Sequence, residues 1–485
     1  MRAGRRRAVV LGGGLVGMLT AHVLARHFSA VDVVDRDELH TPGPQRRTGL
    51  PQARHLHQLW SSGARVLDAL LPGLTQQLLQ AGAQRVGIPT GNVLLSAYGW
   101  QHRFPEAQFM LSCSRDLLDW TVRERVLANP RITVRSNTEA VGLLGSAEAV
   151  TGAAVRPVVD GETTELAADL VVDATGRASA SRRWLAELGM PPVEEDVVDS
   201  GITYATRLFR VPDWVDGGFP GVSVQADHHA RRPGQTGYLL PIEGDRWIVT
   251  LSGTRGGEPS ADDDAFTEFA GNLRHPIIAE LIAGAEALTR VHRSRSTANR
   301  RLYLERADDW PAGLLVLGDA MASFNPAYGH GMVTAARSAA VLDRELEAGD
   351  AGPATIRRVM RGLADVVDDA WAFATSQDIC YPNCRVTSRD IRLAPQQAAA
   401  RREMTDAIGM TAARQPTLAS ALFDVATLAA PASSLLEPRV LNALRTGPTH
   451  PPLDAPPFTP DELAMLRRAN RRTATVTSPA VGQWS

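Results

Sequence analysis

Arg7-Ala8-Val9-Val10-Leu11-Gly12-Gly13-Gly14-Leu15-Val16-Gly17 decides the fold class. The run up to Leu11 is apolar and stops at a glycine cluster, as a buried strand does. From Leu15 to His27 apolar residues recur at helical spacing, and residues 31–34 form a second apolar strand that ends at Asp35. Strand, turn, helix and strand make a βαβ opening. Gly12-x-Gly14-x-x-Gly17 then has the spacing of a dinucleotide-binding turn. Gly12 permits the turn, Gly14 lets backbone approach a pyrophosphate, and Gly17 lets helix and strand pack closely. The helix start at Leu15 and Val16 offers that anion unpaired N–H groups and the positive end of a dipole. Asp35, followed by Arg36, stands where an acid accepts hydrogen bonds from ribose hydroxyls. These features point to a dinucleotide and do not separate nicotinamide from flavin forms.

Composition narrows the classes around this motif. The chain has 485 residues, enough for two or three domains at about 150 residues each. Apolar residues make up 44% and charged residues 21%, values that exclude collagen-like, disordered and small disulfide-stapled chains. Net charge is −2, which leaves no basic excess for nucleic acid. All 51 basic side chains are arginine, so Schiff-base, P-loop and other catalytic lysines are excluded. Cys113, Cys380 and Cys384 are too few for a disulfide framework or a zinc site and fit a reducing compartment, the cytoplasm. His55-x-His57 has no third ligand placed near it, so no metal is expected. The arginines ahead of Val9 resemble a secretion signal, but a glycine turn stands where a cleavage site would be. No stretch reaches the roughly 18 uninterrupted apolar residues of a membrane span; residues 418–436 come nearest and are broken by Asp424 and Pro431. No Gly-x-Ser-x-Gly elbow of a hydrolase is present.

Further along, residues 61–71 and Arg115–Leu127 read as helices and 132–134 as a strand. Residues 150–159 and 163–168 form a hairpin across Asp160-Gly161, and Leu170–Asp173 is an apolar strand. Segments 202–211, 221–225, 237–242 and 247–251 then read as an antiparallel sheet, followed by helices at 262–273 and 276–285. A buried strand at 313–317 and a helix at 331–348 restore the nucleotide-type pattern. From Pro353 the pattern is helical, and residues 446–460 form a Pro-rich extended strap. The expected fold is therefore α/β: a discontinuous Rossmann-like domain (1–75, 105–185 and 295–348), an inserted antiparallel-sheet substrate domain (76–104 and 186–294), and a helical C-terminal region (349–485).

A second motif identifies the dinucleotide. Leu315-Val316-Leu317-Gly318-Asp319-Ala320 precedes Asn325-Pro326-Ala327-Tyr328-Gly329-His330-Gly331-Met332. An apolar strand delivers Asp319 to its carboxyl end, and a glycine-containing loop opens a second helix N-terminus. With the first fingerprint, this pattern resembles the group A FAD-dependent monooxygenases of the para-hydroxybenzoate hydroxylase type. The resemblance makes the Rossmann-like domain an FAD-binding domain. It implies that Asp319 binds the ribityl chain and that the helix start at Gly329, His330, Gly331 and Met332 faces the flavin's pyrimidine edge. It sets Pro326 beside the isoalloxazine, at the reacting centre. His330 stands where a Gln is expected. Ser114-Arg115-Asp116-Leu117-Leu118 opens a helix in which Arg115 matches the family's arginine to the flavin nucleotide and Ser114 reads as the N-cap. Arg54, in Pro51-Gln52-Ala53-Arg54-His55-Leu56-His57, is a further candidate for a flavin contact. Asp173-Ala174-Thr175-Gly176-Arg177 resembles the family's Asp-Gly motif, linked to FAD and NADPH, with Thr175 in place of the motif Asp. NAD(P)H is thus the expected electron source, directly or, as Thr175 suggests, through a separate flavin reductase.

The stretches at Pro51, Gln101-His102-Arg103-Phe104-Pro105, Phe109-Met110-Leu111-Ser112-Cys113 and Ser323-Phe324-Asn325-Pro326 are similar to the bacterial flavin epoxidases of polyether antibiotic pathways, distant relatives of squalene epoxidase. The similarity spans most of residues 7–345. It implies epoxidation of alkenes in a large apolar polyketide or polyene through a C4a-hydroperoxyflavin. An aromatic polyketide hydroxylase, an FAD-dependent reductase and a non-catalytic flavin-binding protein remain alternatives. A flavin halogenase is excluded, because it needs a lysine and a Trp-x-Trp-x-Ile-Pro signature, both missing.

Overall fold

The computed structural model describes residues 6–476 apart from 217, 296 and 389–394. Residues 1–5 and 477–485 of the expected domains lie outside the described residues. Five strands form a parallel sheet in the order Leu314–Val316, Leu170–Asp173, Arg7–Leu11, Ala30–Val34 and Ile132–Arg135. These strands carry unbroken apolar runs because both faces of a parallel sheet are covered; Val9, Val10, Leu11, Val171, Val172 and Leu315 are fully buried. Helices Leu15–His27 and His330–Glu347 pack on one another, and Arg26 clasps Asp343 across them at 2.7 Å. The expected hairpin is present as Val150–Pro157 against Thr164–Ala167, and Thr138–Gly145 completes a three-stranded antiparallel sheet.

The inserted segments build a seven-stranded sheet, here called the roof sheet, in the order His292–Ser294, Thr203–Arg210, Arg246–Gly253, Gln235–Ile242, Gly221–Val224, Asn92–Ser96 and Gly99–Trp100. All neighbours pair antiparallel except Asn92–Ser96 with Gly221–Val224, which run parallel. This corrects the purely antiparallel expectation at one edge. The two strands lie far apart in the chain, so no tight turn dictates opposite directions. One face of the roof is filled by Trp247, Val249, Leu251 and Val222, over which helix Asp263–Gly271 lays Phe266.

The C-terminal region is helical at Pro353–Asp378, Pro395–Ala412, Pro416–Ala426, Pro438–Thr446 and Pro460–Val476. Each helix opens on proline, whose fixed φ and missing N–H suit the first turn. One piece departs from the helical expectation: Arg385–Thr387 pairs as a strand with Glu195–Asp199. The Pro-rich strap is non-helical over 447–459 and is fastened to the roof by Phe458 on Phe219, 5.7 Å between ring centres, and by the His102 ring on the Pro451 carbonyl at 2.8 Å. No helix among the described residues is long and apolar enough to cross a membrane.

Candidate functional site

The three fingerprint glycines do different things. Gly12 holds φ at +99°, and a Cβ there would meet the Ala174 carbonyl oxygen at 2.5 Å. At Gly17 a Cβ would strike the Gly12 oxygen at 1.8 Å. Both are demanded by the chain's own packing. Gly14 has φ −75° and ψ −175°, which any residue adopts, and a Cβ there meets nothing within 4 Å. Its smallness clears space beside the N-terminus of helix Leu15–His27, where backbone N–H groups favour an anion.

The acid at the end of the second strand is partly committed. Asp35 Oδ2 accepts from Gly13 N–H at 2.6 Å, and Oδ1 accepts from Asp37 N–H at 2.8 Å and lies 2.9 Å from the Arg47 guanidinium. A carboxylate oxygen takes two donors, so Oδ2 keeps one site for a ribose hydroxyl. Arg36 beside it is exposed. Arg47, which sequence reading missed, is 6% exposed and also donates to the Gly13 carbonyl at 2.8 Å. Asp37 at 3.2 Å and Asp119 at 3.3 Å complete its shell. It arises from a loop without periodicity, so no local signal marks it.

Ser114 caps helix Arg115–Leu127 by accepting from Leu117 N–H at 3.2 Å. The cap sets Arg115 inward, and its Nε is buried without a hydrogen-bond partner. Burial lowers its pKa, opposed by the charges of Asp119 and Asp319. An unpartnered guanidinium nitrogen is costly, and together with the open face of Gly14 it fits an anionic nucleotide between the two.

The two motifs converge. Gly318, at φ +65°, lies under Val16, whose Cγ1 is 2.8 Å from where a Cβ would stand. A Cβ on Gly331 would lie 3.9 Å from Asp319 Oδ1, so Asp319 stands at the start of helix His330–Glu347. Its neighbours desolvate the carboxyl and raise its pKa, against the pull of Arg177 and Arg115. Even so, 41% of its side chain is accessible, just past the carboxyl end of strand Leu314–Val316. Arg177 Nε is 3.7 Å from Asp319 Oδ2, and its Nη atoms donate to the carbonyls of Ala298 and Phe324. The missing motif acid has a neighbour in its place: Asp173, fully buried, accepts from Thr175 N–H and Oγ1 and from the Ser179 and Ser181 hydroxyls.

Pro326 is exposed between buried Asn325 and the turn that ends at Gly329, φ +69°. The loop is held from behind. Asn325 N–H donates to Asn299 Oδ1 at 2.7 Å, and Tyr204 of the roof sheet donates to Asn325 Oδ1 at 2.6 Å. Asp378, at the end of helix Pro353–Asp378, receives Asn325, Asn299 and the Tyr328 hydroxyl. Trp60 Nε1 donates to the Tyr328 carbonyl at 3.0 Å.

Two side chains of the second helix start are turned into the core. The His330 imidazole is 1% exposed, bonds the Ala426 carbonyl at 3.0 Å and packs edge-on against Phe373. The helix's rotational phase aims the ring at the C-terminal helices. Met332 is likewise core, 6% exposed. Arg54 is exposed and engages the His292 ring at 3.1 Å, where its loop meets roof strand His292–Ser294.

Two helix starts at the carboxyl edge of one parallel sheet, with an inserted sheet between their halves of the chain, define a dinucleotide-binding protein of the flavoprotein class. The FAD binding domain family matches residues 5–358, and the chain belongs to it. Protein Rv3254 of Mycobacterium tuberculosis is 32% identical over 351 residues, 70% of this chain and 73% of its own. Kynurenine 3-monooxygenase of Salinispora tropica is 28% identical over 367 residues, 72% of this chain and 74% of its own. PqsL, a probable FAD-dependent monooxygenase from Pseudomonas aeruginosa, has the same fold with a TM-score of 0.58 at 19% identity, over 78% of this chain and 97% of its own.

Proposed function

We propose that the chain epoxidises one or more alkenes of a large, mostly apolar polyketide or polyene. The reading rests on the resemblance of the stretches at Pro51, Gln101, Phe109 and Ser323 to the polyether epoxidases, together with the exposed Pro326, whose loop Trp60 anchors by donating its indole N–H to the Tyr328 carbonyl at 3.0 Å. In this reading the chain divides as its sequence suggests, with the FAD domain at 1–75, 105–185 and 295–348, the substrate domain at 76–104 and 186–294, and the helical region from 349.

Gly14 and the helix start at Leu15 and Val16 would hold the FAD pyrophosphate, and Asp35 with Arg36 the adenosine half. Arg115 would meet the nucleotide's charge, Asp319 the ribityl chain, and the backbone from Gly329 to Met332 the pyrimidine edge. When bound and reduced, FAD activates dioxygen and supplies one oxygen atom. Pro326, held through Asn325, would sit beside the isoalloxazine at the reacting centre. NAD(P)H is the electron source, and Thr175 favours delivery through a partner flavin reductase. An alkene needs no proton removed before oxygen transfer. The Tyr204 hydroxyl is engaged with Asn325, and burial lifts its pKa well above the ordinary range.

A second reading, aromatic hydroxylation, is favoured by the identity to kynurenine 3-monooxygenase. A phenolic or aniline substrate gains from a nearby base. His55, pushed down to about 4 by burial and then by His292, is a neutral imidazole on Thr206 that could serve. Incubation with a reductase, labelled dioxygen, and either polyenes or small aromatics, followed by mass spectrometry, separates the two. One labelled oxygen in the polyene supports epoxidation; labelled aromatics alone overturn it, and unlabelled reduced product points to a reductase.

A further inference from the structure

We propose that His228, His229 and Asp406 form a binding site for a divalent transition metal of the zinc type, which ties the C-terminal helices to the inserted sheet domain. The histidines occupy a short turn after roof strand Gly221–Val224, and Asp406 lies on helix Pro395–Ala412. His228 Nε2 and His229 Nε2 approach the same atom, Asp406 Oδ1, at 3.7 and 3.5 Å. Both separations are too long for a direct hydrogen bond. They are close to the edge of a tetrahedron: ligand bonds of about 2.0–2.1 Å set neighbouring ligand atoms about 3.3 Å apart. Two imidazoles and a carboxylate suit zinc, iron(II) or cobalt(II) and not magnesium or calcium, which take oxygen ligands.

The surroundings fix these groups. The Asp227 carboxylate accepts from His229 N–H at 2.9 Å and closes the turn, and Arg231 follows in the left-handed region at φ +49°. The two imidazoles lie 4.1 Å apart between ring centres, and Tyr98 packs edge-on against both. The Tyr98 hydroxyl donates to Asp406 Oδ1 at 3.0 Å, the kind of hydrogen bond that orients a ligating carboxylate. Helix Pro395–Ala412 reaches Tyr98 only because residue 409 is glycine; a Cβ there would stand 2.1 Å from the ring. His229 is 42% exposed, which gives a metal an entry path and leaves a coordination position to water.

The sequence alone gives no expectation of a metal, because His228 and Asp406 are too distant in it to be read as one motif. The test uses the FAD-loaded full chain, stripped with a chelator and titrated with Zn2+ by calorimetry and with Co2+ by visible absorption. One zinc per chain is expected, with no heat from Mg2+. His229→Ala and Asp406→Asn should each weaken binding at least about tenfold, the least that losing even an outer partner of a ligand costs, while Cys380→Ser leaves it unchanged. Absence of Zn2+ binding, unweakened binding in the combined His229→Ala and Asp406→Asn chain, or loss of binding with Cys380→Ser would each overturn the proposal.

Discussion

Asp378 holds Asn325 by both carboxylate oxygens, at 2.9 and 3.0 Å from Nδ2. The C-terminal helix thereby grips the residue that precedes Pro326. Tyr328 and Asn299 donate to the same carboxylate, each at 2.7 Å. Asp378→Ala takes a charged acceptor from the amides of buried Asn325 and Asn299 and from the half-buried Tyr328 hydroxyl, at about 1–3 kcal/mol for a buried donor left unpaired. We expect a destabilisation of about 3 kcal/mol or more and poorer coupling of reductant to product, while Asp378→Asn, which keeps one acceptor oxygen, loses less. Calorimetry of the FAD-loaded chain and the ratio of peroxide to product check this.

Gly14→Val should abolish FAD binding and leave the fold intact, since the backbone there is ordinary and no protein atom lies within 4 Å of a Cβ. Gly17→Ala should fail to fold, because its Cβ meets the Gly12 oxygen. Far-ultraviolet circular dichroism and flavin occupancy of the purified chains distinguish the two. Full flavin occupancy in Gly14→Val would mean that the fingerprint is misassigned.

Asp319→Ala removes a charged acceptor, and such hydrogen bonds are worth roughly 1.5–3 kcal/mol. FAD affinity should fall about one to two decades, as read by fluorescence titration. Arg115→Leu should also weaken FAD binding but should not destabilise the FAD-free chain, because it deletes a buried nitrogen that has no partner. An Arg115→Leu chain that melts lower without FAD would assign Arg115 a structural role.

His330 makes an acid-sensitivity prediction. Burial pushes its pKa down from 6.5 to about 4, partly offset by its hydrogen bond to Ala426. Above pH 6.5 neither folded nor unfolded chain carries the proton, so stability is unaffected. Between about 6.5 and 4 the unfolded chain binds a proton that the folded chain refuses, so stability falls as pH falls, by on the order of 3 kcal/mol at pH 4. His330→Gln should flatten that part of the stability curve. Urea unfolding of both chains at pH 7.5 and 4.5 measures the difference, and equal losses in the two chains would contradict it.

Much of the nucleotide half is legible in the sequence. Leu15–His27, Arg115–Leu127 and Leu170–Asp173 have the bounds the pattern indicates, because each carries a full apolar period closed by a glycine turn, a serine cap or an acid. Gln84–Ile88 and Gln108–Ser112 escape notice because they pair with each other across a segment that itself carries two strands of the roof sheet, so no hairpin turn joins them. Arg47 and Asp378 escape as well. An arginine in a loop and an aspartate ending a helix look like solvated surface until the fold buries them, at 6% and 1% exposure. The direction of the His330 ring is likewise set by how the C-terminal helices dock, which no local spacing records.

The order in which the parallel sheet is completed has a consequence for synthesis of the chain. Its edge strand Leu314–Val316 pairs with Leu170–Asp173 only after the whole roof sheet has been made. A nascent chain halted after residue 295 carries the glycine turn but neither Asp319 nor the second helix start. The roof can thus emerge and pair its hairpins while the nucleotide sheet still has an open edge next to Leu170–Asp173. Exposed strand edges template wrong pairings, so the interval on the ribosome between residue 173 and residue 316 is when this protein is most open to mispairing, and arrival of the second motif both closes the edge and completes the nucleotide cradle.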